Sequence, residues 1–141
     1  MFMMRRPVPR TLLVLLLLYG AASFVHFVHN AEFLADYPNM PASWSRTGVY
    51  GAWFAMTAIG LIGLLLVVRG LRIAGLLFVV AYAGFGLDSL GHYALAPMAA
   101  HTAAMNATII AEVTTAAMLL VEAVRLVARR TMSSKSRALD A

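Results

Sequence analysis

Four apolar runs of about twenty residues follow one another along this chain, separated by short polar breaks. They are TLLVLLLLYGAASFVHFVH, GVYGAWFAMTAIGLIGLLLVV, IAGLLFVVAYAGFGLDSLGHYAL and AAHTAAMNATIIAEVTTAAMLLVEAV. Each is long enough to cross a ~30 Å hydrocarbon core at ~1.5 Å per helical residue. The pattern predicts an all-α, integral-membrane four-helix bundle. It forms a single four-span domain over 1–130, with spans about 11–31, 46–68, 72–95 and 98–127. Residues 131–141 read as a flexible cytoplasmic tail.

The breaks agree with this division. YPNMPASWS carries two prolines and a serine placed to cap the second span. RGLR is a tight turn between spans two and three. ALAP closes the third, and Pro97 suits the first turn of the fourth. Each half of the chain reads as a span with polar residues at its outer end, a proline-containing loop and a return span. That plan suggests a duplicated helical hairpin.

Charge sets the expected orientation. Arg5, Arg6, Arg10, Arg69, Arg72, Arg125, Arg129, Arg130, Lys135 and Arg137 fall on one side of the spans, and Arg46 falls on the other. The positive-inside rule then places both termini and the RGLR turn in the cytoplasm, in a bacterial-type inner (plasma) membrane. The start, MFMMRRPVPRTLLVLLLLYGAAS, has the layout of a signal peptide. Its apolar run continues through Phe24, Val25, Phe27 and Val28, so an uncleaved anchor is expected on length.

Composition adds exclusions. Of 141 residues, 62% are hydrophobic and 12% charged, about half the charged share of a soluble domain. The absence of cysteine removes disulfides, thiolate metal sites and iron–sulfur clusters. The net charge of +5 is explained by topology and not by a nucleic-acid-binding stripe. The expected partners are the lipid bilayer and either other membrane subunits or further copies of the chain.

All four histidines, His26, His29, His92 and His101, lie toward the outer ends of the spans. Helical spacing groups His26, His29 and Asn30 on span one, with Glu32 and Asp36 beyond. Asp88 and His92 share a face of span three, where Gly84 and Gly91 would let another helix approach. His101, Met105, Thr108, Glu112 and Thr115 form a stripe on span four, and Arg46, Tyr50, Trp53, Thr57 and Gly60 one on span two. Glu112 is the deepest ionisable group. An acid at mid-span costs roughly 2.5–3.5 kcal/mol on insertion scales and is expected to be neutral, paired or hydrated.

Imidazole and carboxylate together suit a transition metal ion: copper, zinc or iron. The candidate metal ligands are His26, His29, Asp88, His92 and His101, with Glu32 and Glu112 as second-shell groups or proton carriers. The stretch DSLGHYALAPMAAH, with Asp88, His92 and His101, resembles the Asp/His/His copper motif in the C subunit of particulate methane and ammonia monooxygenases. The resemblance covers about a tenth of the chain and implies copper among the candidate metals. A haem b electron-transfer site is the alternative, with His26 or His29 and His92 as axial ligands and Gly84, Gly86 and Gly91 making room for the macrocycle. A third reading is a scaffold or proton-relay subunit of a larger membrane complex. The relay would use Glu112, Asp88 and the histidines, although the inner half shows no continuing ionisable path.

Plainer roles compete with these. His26 and His29 could cap a span end, Asp88 and His92 could pin two helices, and His101 could serve the turn after Pro97. Trp44, Trp53, Tyr37 and Tyr50 read as an aromatic belt, Asn30 as a packing amide and Glu122 as a partner of Arg125. The leading expectation is a small membrane metal-binding protein with its site in the outer half of the bilayer and no assignable catalytic residue.

Overall fold

A computed structural model describes residues 7–139, with side chains through Met132. Arg5 and Arg6 lie outside the described residues, as do the side chains of Lys135 and Arg137. The described chain is all helical. It contains α1 (Arg10–Glu32), α2 (Arg46–Val68), α3 (Arg72–Leu87), the short α4 (Gly91–Leu95) and α5 (Ala103–Leu139), with 3₁₀ turns at 34–36, 88–90 and 98–100. Because α3, the second 3₁₀ turn and α4 run on as one rod, four rods are long and apolar enough to cross a membrane: 10–32, 46–68, 72–95 and 103–132. The α5 backbone continues to Leu139, through most of the stretch read as a tail.

Local chemistry explains the ends. Ser45 caps α2, its hydroxyl accepting the Gly48 amide at 3.1 Å. After Val68 the chain reverses at Gly70, φ +94°. The Gly70 amide reaches Val67 O and the Leu71 amide reaches Leu66 O, which satisfies two carbonyls that the helix end would leave bare. Thr102 caps α5, accepting the Met105 amide at 3.2 Å. The fourth helix therefore starts five residues later than Pro97 suggested. Pro97 instead precedes the 3₁₀ turn at 98–100, and His101 lies in extended backbone outside the helix.

The helices form an antiparallel ring in which α1 neighbours α2 and α5, and α3 neighbours α2 and α5. The glycines that allow close approach are not Gly84 and Gly91, where an added Cβ would meet nothing within 4 Å. They are Gly63 and Gly75, which bring α2 and α3 together beside the 69–71 turn, and Gly60 and Gly86, which seat the rings of Tyr82 and Tyr19. A Cβ on Gly75 would stand 2.6 Å from both Gly63 O and the Val67 amide nitrogen.

The core has two halves. Toward the 69–71 turn it is apolar: Leu12, Leu15, Val67, Leu76, Val79, Leu119 and Ala123 pack with Tyr19 and Tyr82. Toward the loops at 33–45 and 96–102 the same faces become polar. On α1 the buried stripe Leu12, Leu15, Tyr19 passes into Ser23, His26 and Asn30. The outside is apolar throughout, with Leu17 74%, Val121 68% and Phe54 65% exposed. Water would not tolerate an apolar belt of this extent on a monomer, whereas lipid would.

Candidate functional site

Ser23, His26 and Asn30 rise along α1 at spacings of three and four, so one face carries all three into the core. Opposite them, the 3₁₀ turn at 88–90 resets the phase of the third rod. Ser89 and His92, three apart, point inward, and Asp88 is exposed at the edge of the bundle. The expected sharing of a core face by Asp88 and His92 is thus replaced by Ser89 and His92. From α5 come Met105, Thr108 and Glu112.

Glu112 is fully buried, and Ser89 Oγ donates to its Oε2 at 2.5 Å. His26, 1% exposed, places Nε2 3.6 Å from the same oxygen. Its Nδ1 lies 3.3 Å from Thr108 Oγ1. Thr108 spends its own proton on Met105 O at 3.0 Å, so its oxygen accepts from His26 Nδ1–H. His26 Nε2 is then left with a lone pair facing the carboxyl. A proton between them has two seats, the carboxyl oxygen and the imidazole nitrogen. Glu112 Oε1 has no partner among the described residues.

The histidines continue toward the loops. The His92 ring stands edge-on to His26, centroids 5.4 Å apart, and to His101 at 6.2 Å. Asn30 Nδ2 donates to His92 Nε2 at 3.2 Å. His101 donates from Nδ1 to Pro97 O at 3.1 Å, and its buried Nε2 is unpartnered. Tyr37 covers the column, its ring 4.9 Å from His92 and its hydroxyl 3.0 Å from His29 Nδ1. Burial pushes the Tyr37 phenol up to about 12. Tyr93 and Asn106 lock the lid: Tyr93 donates to Asn106 Oδ1 at 2.9 Å, and the Asn106 amide donates to Met98 O and His101 O. The result is a row, Glu112–His26–His92–His101, leading from mid-bundle to the loops.

Besides Asp88, two further sequence candidates fall outside that row. His29 pairs with Tyr37 at its side. Glu32 is exposed, and its Oε1 accepts from Arg46 Nε, Arg46 NH2 and the Tyr50 hydroxyl at 2.9, 2.6 and 2.7 Å, tying α1 to α2. Glu122 pairs with Arg125 through two bonds of 2.7 and 2.8 Å. Sequence reasoning missed Ser89, Ser23 and the role of Tyr37. Ser89 is hidden by the 3₁₀ phase shift, and Tyr37 looks like any interfacial aromatic until the 34–36 turn folds it inward.

Beside the row lies a cavity of about 490 Å³ between α1, α2 and the third rod. Phe27, Met40, Trp44, Val49, Met56 and Phe85 give it apolar walls, and His26, Asn30, Asp88, Ser89 and His92 give it a polar face.

Among the described residues no three His, Asp or Glu side chains are gathered as a metal-ligand group. The rings of His26 and His92, the pair considered for haem, stand edge-on with centroids 5.4 Å apart. Tyr19 and Ala116 fill the space at Gly86. Comparison of the chain with protein-family models, curated proteins and solved structures finds no match.

Proposed function

We propose that this chain is a four-span membrane protein, with both termini cytoplasmic, whose His26–Glu112 pair is a proton-exchange site. The row His26–His92–His101 connects that site to the outer surface. The observation that carries this reading is the approach of His26 Nε2 to Glu112 Oε2, 3.6 Å apart in a core shielded from solvent. An intramembrane acid facing an imidazole lone pair is chemistry that packing does not require.

The row ends at Glu112. Below it Tyr19 donates to Tyr82 O at 3.2 Å and the apolar core begins. A single chain therefore loads and returns protons from one side and does not conduct them across. That suits an acid–base site serving a molecule in the adjoining cavity, or a subunit passing protons to a partner.

Infrared spectroscopy of the protein in lipid tests this. The carbonyl stretch of a protonated, buried carboxyl should appear, respond to bulk pH and vanish in Glu112→Gln. A band that persists in that variant, or that never responds to pH, overturns the proposal. A metal ion is the second reading, favoured by His101, whose Nδ1 is fixed on a carbonyl while its buried Nε2 has no partner.

A further inference from the structure

The cavity beside the histidine row has an uneven chemistry. Two of its polar groups lack partners. Asn30 is 8% exposed, lines the cavity and has its Oδ1 unsatisfied. Asp88 lies within a membrane-spanning rod and lines the same cavity, and its carboxyl forms no hydrogen bond or ion pair among the described residues. Both are acceptors: an amide oxygen and a carboxyl. No lysine or arginine lines the cavity. His26, Ser89 and His92 complete the polar face, and the remaining walls are apolar and aromatic, with Phe27, Trp44 and Phe85 among them.

We infer that the cavity binds an amphiphilic amine in its ammonium form, with the head between Asp88 and Asn30 and the tail along the apolar walls. An ammonium carries three donors and no acceptor, which matches two unpartnered acceptors. It supplies the positive charge that a carboxylate in a span requires and that the chain does not provide here. An anionic head, a carboxylate or phosphate, would meet Asp88 with like charge and find no cation. A neutral alcohol could bond to Asn30 Oδ1 but would leave Asp88 without its counter-charge. The volume lies within the ~300–1,000 Å³ range of small-molecule sites. Binding does not depend on proton exchange at Glu112, which does not line the cavity.

Octylammonium, octanol and octanoate share a chain length and differ in head, so they serve as probes. Trp44 lines the cavity and Trp53 does not. In the full chain in lipid nanodiscs, a Trp53→Phe protein reports Trp44 fluorescence and a Trp44→Phe protein reports Trp53. Octylammonium should change the Trp44 signal saturably, and octanol and octanoate should bind roughly tenfold or more weakly. Asp88→Asn, at an exposed position that leaves the packing intact, should remove that preference. Ala52→Phe, which fills the cavity, should abolish saturable binding of all three. Equal affinity for the three heads, an unchanged preference in Asp88→Asn, or parallel responses from Trp44 and Trp53 would each overturn the inference.

Discussion

Replacing Glu112 separates a hydrogen-bonded acid from one that is merely buried. Its Oε2 accepts from Ser89 at 2.5 Å and faces the His26 Nε2 lone pair at 3.6 Å. Glutamine has the same shape. With its amide nitrogen in the place of Oε2, one N–H is offered to His26 Nε2 and the other to Ser89 Oγ, which turns to accept. Glu112→Gln should therefore change stability by less than about 1 kcal/mol. Alanine removes both partners at once. Ser89 Oγ and His26 Nε2 then lie buried without a bond, at about 1–3 kcal/mol each, and a void opens beside them. Glu112→Ala should lose about 3–6 kcal/mol by the same reasoning. Reversible unfolding in mixed micelles, followed by far-UV circular dichroism, measures both. Equal losses in the two variants would refute the pairing drawn here, and so would an alanine variant as stable as the parent.

Gly75→Ala should cost about 1–3 kcal/mol in the same assay, because its Cβ meets backbone atoms at 2.6 Å. Gly84→Ala, into open space, should gain up to about 1 kcal/mol from helix propensity. The Tyr37 phenol, pushed up to about 12 from 10.0, should bring stability that is present in full below pH 10 and is lost as pH rises toward 12. Tyrosinate absorbance of the parent minus that of Tyr37→Phe gives its midpoint, and a value near 10 would contradict the burial. Elemental analysis with an absorption spectrum should show neither stoichiometric metal nor a Soret band. One equivalent of copper, zinc or iron, lost in His101→Ala, would move the assignment to the second reading.

The helices were legible because span-length apolar runs bounded by Pro, Gly and Arg leave the backbone few alternatives. The second predicted span and α2 cover the same residues, 46–68. The polar character of the loop half was legible too, since His26, His92, His101 and Glu112 are all buried there. What spacing could not supply was phase. A uniform 3.6-residue helix puts Asp88 and His92 together, while a single 3₁₀ turn substitutes Ser89 and sends Asp88 to the cavity. Likewise a helix begun at Pro97 places His101 on the Glu112 stripe, but Thr102 caps later and His101 arrives from the loop. Glu32 reads in the sequence as a supporting group or proton carrier, whereas in the fold Arg46 and Tyr50, fourteen and eighteen residues on, hold its oxygen.

The division of the core argues that the polar half is there for chemistry. Near the 69–71 turn, Gly63 and Gly75 let α2 and α3 touch, Gly86 seats Tyr19, and leucine and valine fill the rest. Helices in lipid associate well through small residues and close packing of this kind. The same solution was available at the loop end, where Ser23, His26, Asn30, Ser89, His92, His101 and Glu112 are buried instead. Several of their atoms, Ser23 Oγ, Asn30 Oδ1, His101 Nε2 and Glu112 Oε1, have no partner among the described residues. Each such atom costs about 1–3 kcal/mol relative to a satisfied one. A half built only to hold helices together has no need to carry that penalty repeatedly. Glu112 Oε1 belongs to the carboxyl–imidazole pair and Asn30 Oδ1 lines the cavity, where an exchangeable proton and a donor-bearing ligand would complete them.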